Sequence, residues 1–148
     1  MNEDFTNVYL ADDDSDDRFL FEEAFDELKM DINVSTFNDG QYLMDYLLKD
    51  DAKLPHILFL DLNMPRKGGM ECLKEIKQNP KFSDMVIAIY STSASEEHIE
   101  DAFVIGANIY IKKPDSFNKL KKTLSTVVST NWQFHKDGLN KDNFLLRL

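Results

Sequence analysis

A doubly wound α/β fold on a parallel sheet is predicted by three observations. Short apolar runs alternate five times with stretches of helical period. Turn formers such as Asn38-Asp39-Gly40, Gly68-Gly69 and Asn79-Pro80 separate them. The runs also stop abruptly at residues that carry chemistry: Val8-Tyr9-Leu10-Ala11 at Asp12-Asp13, Ile57-Leu58-Phe59-Leu60 at Asp61, the run through Tyr90 at Ser91, and Ile109-Tyr110-Ile111 at Lys112-Lys113-Pro114.

The first strand spans 8–11, and a helix over about 16–29 follows, with Ser15 as its N-cap and Phe21, Ala24, Phe25 and Leu28 recurring at helical spacing. An alternating strand over 33–37 leads to a short helix marked by Tyr42, Leu43, Tyr46 and Leu47. Strand 57–60, helix 70–78 and strand 85–90 come next, and Asn79-Pro80 breaks the chain after the helix. Ser95-Glu96-Glu97 opens a helix that stops near Gly106, 109–111 is the fifth strand, and 117–129 is a helix with Leu120, Leu124, Val127 and Val128 inward. Right-handed crossovers in such a series place helices on both faces of the sheet. Functional groups then gather outside the carboxyl ends of the strands.

The 148 residues suit one domain, here 1–130, followed by an extension over 131–148. Trp132, Phe134, Phe144, Leu145, Leu146 and Leu148 make that extension apolar, so it is expected to pack on the domain or on a partner. No apolar run approaches the roughly 20 residues of a membrane span, and residues 1–6 do not resemble a signal peptide, so a cytoplasmic protein is expected. A net charge of −10 argues against nucleic acid, whose binding needs clustered Lys and Arg. Cys72 is the sole cysteine, which excludes an internal disulfide. His56, His98 and His135 show no metal spacing.

Placed together at one sheet edge, these residues suit phosphoryl transfer. A carboxylate such as Asp61 can attack phosphorus and form an aspartyl phosphate. Negative charge gathers on the transferred group, so a site rich in acids needs a metal and a cation. Asp12, Asp13 and Asp61 offer the oxygen ligands that Mg²⁺ prefers. Lys113 supplies the point charge and Ser91 a hydroxyl. Pro114 invites a cis peptide that would fix the direction of Lys113.

Asp12-Asp13, Asp61, Ser91 and Lys113-Pro114, each after its own strand, resemble the receiver domain of two-component response regulators over roughly residues 8–129. The resemblance implies a flavodoxin-like (βα)5 sheet of order 2-1-3-4-5. It implies that Asp61 accepts a phosphoryl group from a sensor histidine kinase or phosphotransfer protein, and that the protein catalyses only its own phosphorylation and dephosphorylation. The backbone carbonyl of Asn63 joins Asp12, Asp13 and Asp61 as a Mg²⁺ ligand. Ser91 and Tyr110 match the pair that couples phosphorylation to an output face over 95–129, and Asn63 and Ser93 match positions that tune the phosphoryl lifetime. A stand-alone switch acting on a downstream protein is expected, with the tail supporting a homodimer. Gly68, Ser91 and the acidic Asp14, Asp16 and Asp17 depart from the common pattern.

Blander readings stand beside these. Asp61 alone would cap a turn, Asp16 and Asp17 would be solvated acids favoured by a helix N-terminus, and Tyr110 would be a packed strand aromatic. Asp12, Asp14, Asp16 and Glu23 fit calcium-loop spacing, but Asp17 stands where glycine is needed. Asp12-x-Asp14 after a strand also suits a phosphatase, and an unphosphorylated interaction module is a third alternative.

Overall fold

The computed structural model describes residues 5–130 and 144–146. In chain order the elements are β1 Thr6–Ala11, α1 Ser15–Leu28, β2 Ile32–Phe37, α2 Gly40–Leu47, β3 Ile57–Leu60, α3 Gly69–Lys77, β4 Val86–Ser91, α4 Glu96–Ile105, β5 Ile109–Lys112, α5 Phe117–Ser129 and β6 Leu145–Leu146. A three-residue 3-10 helix, Pro80–Phe82, lies between α3 and β4. The strands form one sheet in the order β2-β1-β3-β4-β5-β6, every pair parallel. The expected 2-1-3-4-5 order holds, and a short sixth strand extends it past β5.

Alternation along each strand divides the core in two. Tyr9, Leu58, Leu60, Ile87 and Ile89 pack with Leu43, Leu73 and Ile99 from α2, α3 and α4. On the other face Val8, Leu10, Phe59 and Ala88 meet Phe21 and Phe25 of α1 and Leu124 and Val127 of α5. Strands β3 and β4 are buried along their whole length, as parallel strands covered on both faces are. Among the described residues, no helix is long and apolar enough to cross a membrane.

Two local expectations need correction. Helix α1 is capped by Asp14 rather than Ser15, because the Asp14 carboxylate accepts from Asp16 N–H at 2.9 Å and from Asp17 N–H at 3.2 Å. The carboxylate reaches two free amides from one residue further back. The Lys113-Pro114 peptide is trans, and no cis bond occurs among the described residues. Trans is the commoner state before proline, and Lys113 is aimed instead by its N–H bond to Ser91 O at 2.8 Å and by the acids around its ammonium.

The tail adds an element that the periodicity did not indicate. Trp132, Phe134 and Leu148 lie outside the described residues, but Phe144 is fully buried, its ring 5.3 Å from Phe103 and 6.3 Å from Tyr110. Leu145 pairs with Tyr110 and Leu146 with Ile111. A chain segment that sequence periodicity left without secondary structure thus becomes an edge strand beside β5.

The turn from β3 into α3 is unusually close. A Cβ on Gly69 would lie 2.1 Å from the carbonyl oxygen of Asp61, and Gly69 N–H donates to Leu62 O at 3.0 Å. Gly69→Ala must therefore push α3 away from β3, and its urea-unfolding stability is expected to fall by about 2 kcal/mol or more. An unchanged midpoint would show that this approach is not a constraint.

Candidate functional site

Strand register assembles the site. Ala11 pairs with Leu60, Leu60 with Ile89, and Ser91 with Lys112, so the strands end at one level. Backbone bonds continue one residue further: Asp12 N–H donates to Phe37 O at 3.0 Å and Asp61 N–H to Ala11 O at 3.0 Å. These bonds hold the first residue after β1 and the first after β3 side by side.

Asp12 and Asp61 are buried, whereas Asp13 is exposed. Carboxylate oxygens of the three lie within 4.8 Å of one another. Asp12 Oδ1 accepts from Asp14 N–H at 3.0 Å. Its other oxygen, Oδ2, is buried without a hydrogen bond, although Lys113 Nζ stands 2.8 Å away off the bonding direction. An orphaned carboxylate oxygen beside two more acids is a donor set fitted to a hard divalent cation such as Mg²⁺. Asn63 is exposed in the loop after Asp61.

Lys113 arrives from the end of β5 with its side chain 10% exposed. Its ammonium lies 2.8 Å from Asp12 Oδ2, 2.8 Å from Asp17 Oδ2 and 3.7 Å from Asp61 Oδ2. The Tyr90 ring is 5.3 Å from it, within cation–π range. Burial opposes the lysine charge, but Asp12, Asp17 and Asp61 together outweigh it and hold the pKa above the ordinary lysine value. The lysine therefore stays charged.

The acids are less comfortable. Burial pushes Asp61 up to about 6, with the Asp12 charge adding to the shift while Lys113 and a bond from Asn63 N–H oppose it. Burial also raises Asp12, against the pull of Lys113. Cys72, away from this edge, is pushed up to about 12 by burial and remains an inert thiol.

Ser91 is fully buried at the end of β4, and its hydroxyl oxygen accepts from Ser93 N–H at 3.1 Å. Tyr110 is also fully buried, its ring turned inward and its hydroxyl donating to Ser93 O at 2.7 Å. Ser93 Oγ lies 2.8 Å from Nδ1 of His98. One short loop thus ties the β4 hydroxyl, the β5 aromatic and the start of α4.

The structure brings Asp12, Asp13, Asp61 and Lys113 together, and joins Ser91 to Tyr110 through Ser93. Two participants were not assigned from the sequence. Asp17, read as a solvated helix acid, reaches Lys113; the available signal was its place four residues before buried Phe21, on the helix face turned to the sheet. His98 had no sequence signal, since its partner is set by the loop.

The raised Asp61 pKa has a measurable sign. A carboxyl that binds its proton more tightly folded than unfolded lowers stability above the folded value, and that penalty fades as pH falls from about 6 towards the ordinary 3.8. In the absence of divalent ions, Asp61→Asn should be more stable than wild type at pH 8, and that advantage should shrink at pH 5 and vanish only below the ordinary 3.8, as read from urea midpoints. A gap that widened towards acid would contradict this.

The response regulator receiver domain family matches residues 8–125. The response regulator Rcp1 of Synechocystis is 28% identical over 126 residues, covering 82% of this chain and 86% of its own. A chemotaxis protein CheY homolog of Campylobacter jejuni is 31% identical over 124 residues, covering 83% and 92%. Among solved structures, the phosphorylated cyanobacterial phytochrome response regulator RcpA superposes with a TM-score of 0.77 at 30% identity, over 83% of this chain and 91% of its own. The Mn²⁺-bound form of Rcp1 gives 0.76 at 27% identity over 84% and 92%. The matched segment runs from β1 into α5 and contains every strand end described above, so the chain belongs to the response regulator receiver domain family.

Proposed function

We propose that the protein is a phosphorylation-controlled switch in which Asp61 is the phosphoacceptor. The observation that carries this reading is the placement of a charged Lys113 3.7 Å from the Asp61 carboxylate, at an edge where Asp12 and Asp13 lie within 4.8 Å of it. An Asp61 oxygen attacks the phosphorus of a phosphohistidine on a sensor kinase or phosphotransfer protein, the P–N bond breaks, and the imidazole leaves. Lys113 offsets the charge on the phosphoryl oxygens, and Ser91 provides a hydroxyl donor. Asp12, Asp13, Asp61 and the Asn63 carbonyl would hold Mg²⁺, which when bound neutralises negative charge on the phosphoryl oxygens. The Mn²⁺-bound form of Rcp1 and the phosphorylated form of RcpA support this reading by kinship.

The switch runs through β4 and β5. Ser91 and Tyr110 meet at Ser93, so a movement of the serine hydroxyl towards a phosphoryl group is transmitted to the aromatic ring and to α4. The face of α4 and α5, with β6 lying along the edge of β5, is the contact surface for a downstream protein. Phe144 is buried within its own domain, so its burial needs no second copy of the chain.

The test is incubation with acetyl phosphate and Mg²⁺ followed by intact-mass measurement. Wild type should gain one phosphoryl group, Asp61→Asn none, and removal of Mg²⁺ by EDTA should abolish the gain. An adduct on Asp61→Asn equal to wild type would sink the assignment, and an adduct at Asp12 would favour the phosphatase alternative. Lys113→Ala should retain the acceptor but lower the phosphorylation rate by about 100-fold or more, the scale of losing a preorganised charge at the reacting group.

A further inference from the structure

Among the described residues, Asp17 is the one carboxylate paired with Lys113 that stands outside the proposed metal set. Asp12 and Asp61 both contribute to the group whose oxygens lie within 4.8 Å of one another, whereas Asp17 does not. It projects from the first turn of α1, half-buried, and its Oδ2 accepts a hydrogen bond from Lys113 Nζ at 2.8 Å. Asp12 Oδ2 is equally near at 2.8 Å, and Asp61 is 3.7 Å away. Asp17 is thus a close contact of the ammonium that no proposed metal ligand supplies.

That division has a consequence when the site is loaded. Once Asp12 and Asp61 give their oxygens to a divalent ion, they hold Lys113 less strongly, and the added positive charge repels the ammonium. The Tyr90 ring at 5.3 Å is too weak an anchor to balance this alone. Asp17 stands outside the metal set, so its contact with the ammonium is not drawn on by the metal. The ion pair bridges α1 to the β5–α5 connection and restrains a side chain with four rotatable bonds.

We propose that Asp17 is a positioning residue that holds Lys113 at the phosphoryl side of the site while the metal ligands are engaged elsewhere. The inference rests on Asp61 being the phosphoacceptor and adds a residue to that chemistry. Asp17 touches neither the phosphoryl group nor the metal; it acts through the lysine. Its charge also answers the departure seen in the first loop, where acids outnumber those a metal site requires.

The test uses beryllofluoride, a phosphoryl mimic, with saturating Mg²⁺ and detection by ¹⁹F NMR. Asp17→Asn should weaken beryllofluoride binding by about tenfold, the scale of one charge-assisted hydrogen bond, and Asp17→Glu should recover most of it. In a Lys113→Ala background the same Asp17→Asn change should alter binding by less than about twofold, because neighbours that act as one unit are not additive. A second reading needs no mimic: the ε-ammonium proton signal of Lys113, assigned by its loss in Lys113→Ala, should survive in Mg²⁺-saturated wild type and vanish through solvent exchange in Asp17→Asn. Equal or tighter beryllofluoride binding by Asp17→Asn, a full effect in the Lys113→Ala background, or a persistent ammonium signal would each overturn the positioning role and leave the phosphoacceptor standing. Failure of wild type itself to take beryllofluoride would overturn both.

Discussion

One ammonium among three carboxylates is the constraint on which this site turns. Asp12 and Asp61 are buried where water cannot screen them, and their burial is tolerable because Lys113 is buried with them. The balance is incomplete: burial raises both acids despite the opposing pull of Lys113, and one cation faces more than one carboxylate. A site so arranged is short of positive charge. It is prepared to accept a cation, and the same shortage explains why an anionic group would not enter without one.

The fold supplies this crowding through backbone geometry rather than side-chain packing. Parallel register fixes where β1, β3, β4 and β5 end, and the bonds Asp12 N–H to Phe37 O, Asp61 N–H to Ala11 O and Lys113 N–H to Ser91 O carry the alignment one residue beyond the strands. Gly69 then lets α3 begin against the backbone of Asp61, so the acceptor carboxylate is braced from behind. On the other side Ser93 joins Ser91 and Tyr110 by two short hydrogen bonds, which makes the end of β4 and the ring on β5 move as neighbours.

Much of this was legible from residue order. Apolar runs ending in Asp12, Asp61, Ser91 and Lys113 located the sheet edge because a parallel sheet lines up the carboxyl ends of its strands. What escaped was whatever depends on rotation about a helix or on a contact distant in sequence. Asp17 looks like its neighbour Asp16 in the sequence, yet a turn of about 100° separates them, and only one faces Lys113. Asp14 took the capping role from Ser15 because capping geometry is decided by which side chain reaches the free amides. The Lys113-Pro114 bond is trans, the commoner state before proline, and the lysine is directed by its ion pairs instead. Phe144 and β6 were visible only as an apolar tail, for two residues of strand carry no periodicity of their own.

Strand β6 is short, but it changes what the sheet presents at its end. An outer strand in a parallel sheet leaves a row of unpaired N–H and C=O groups, which is a template for the backbone of any extended chain. Here that row on β5 is occupied at Tyr110 and Ile111, and Phe144 plugs the space between Phe103 and Tyr110 just before it. The domain therefore meets solvent at β5 through a strand of its own. Any segment that would pair with β5 itself must first displace two leucine backbones and lift one phenylalanine from the core, a threshold that sets strand exchange apart from ordinary surface contact.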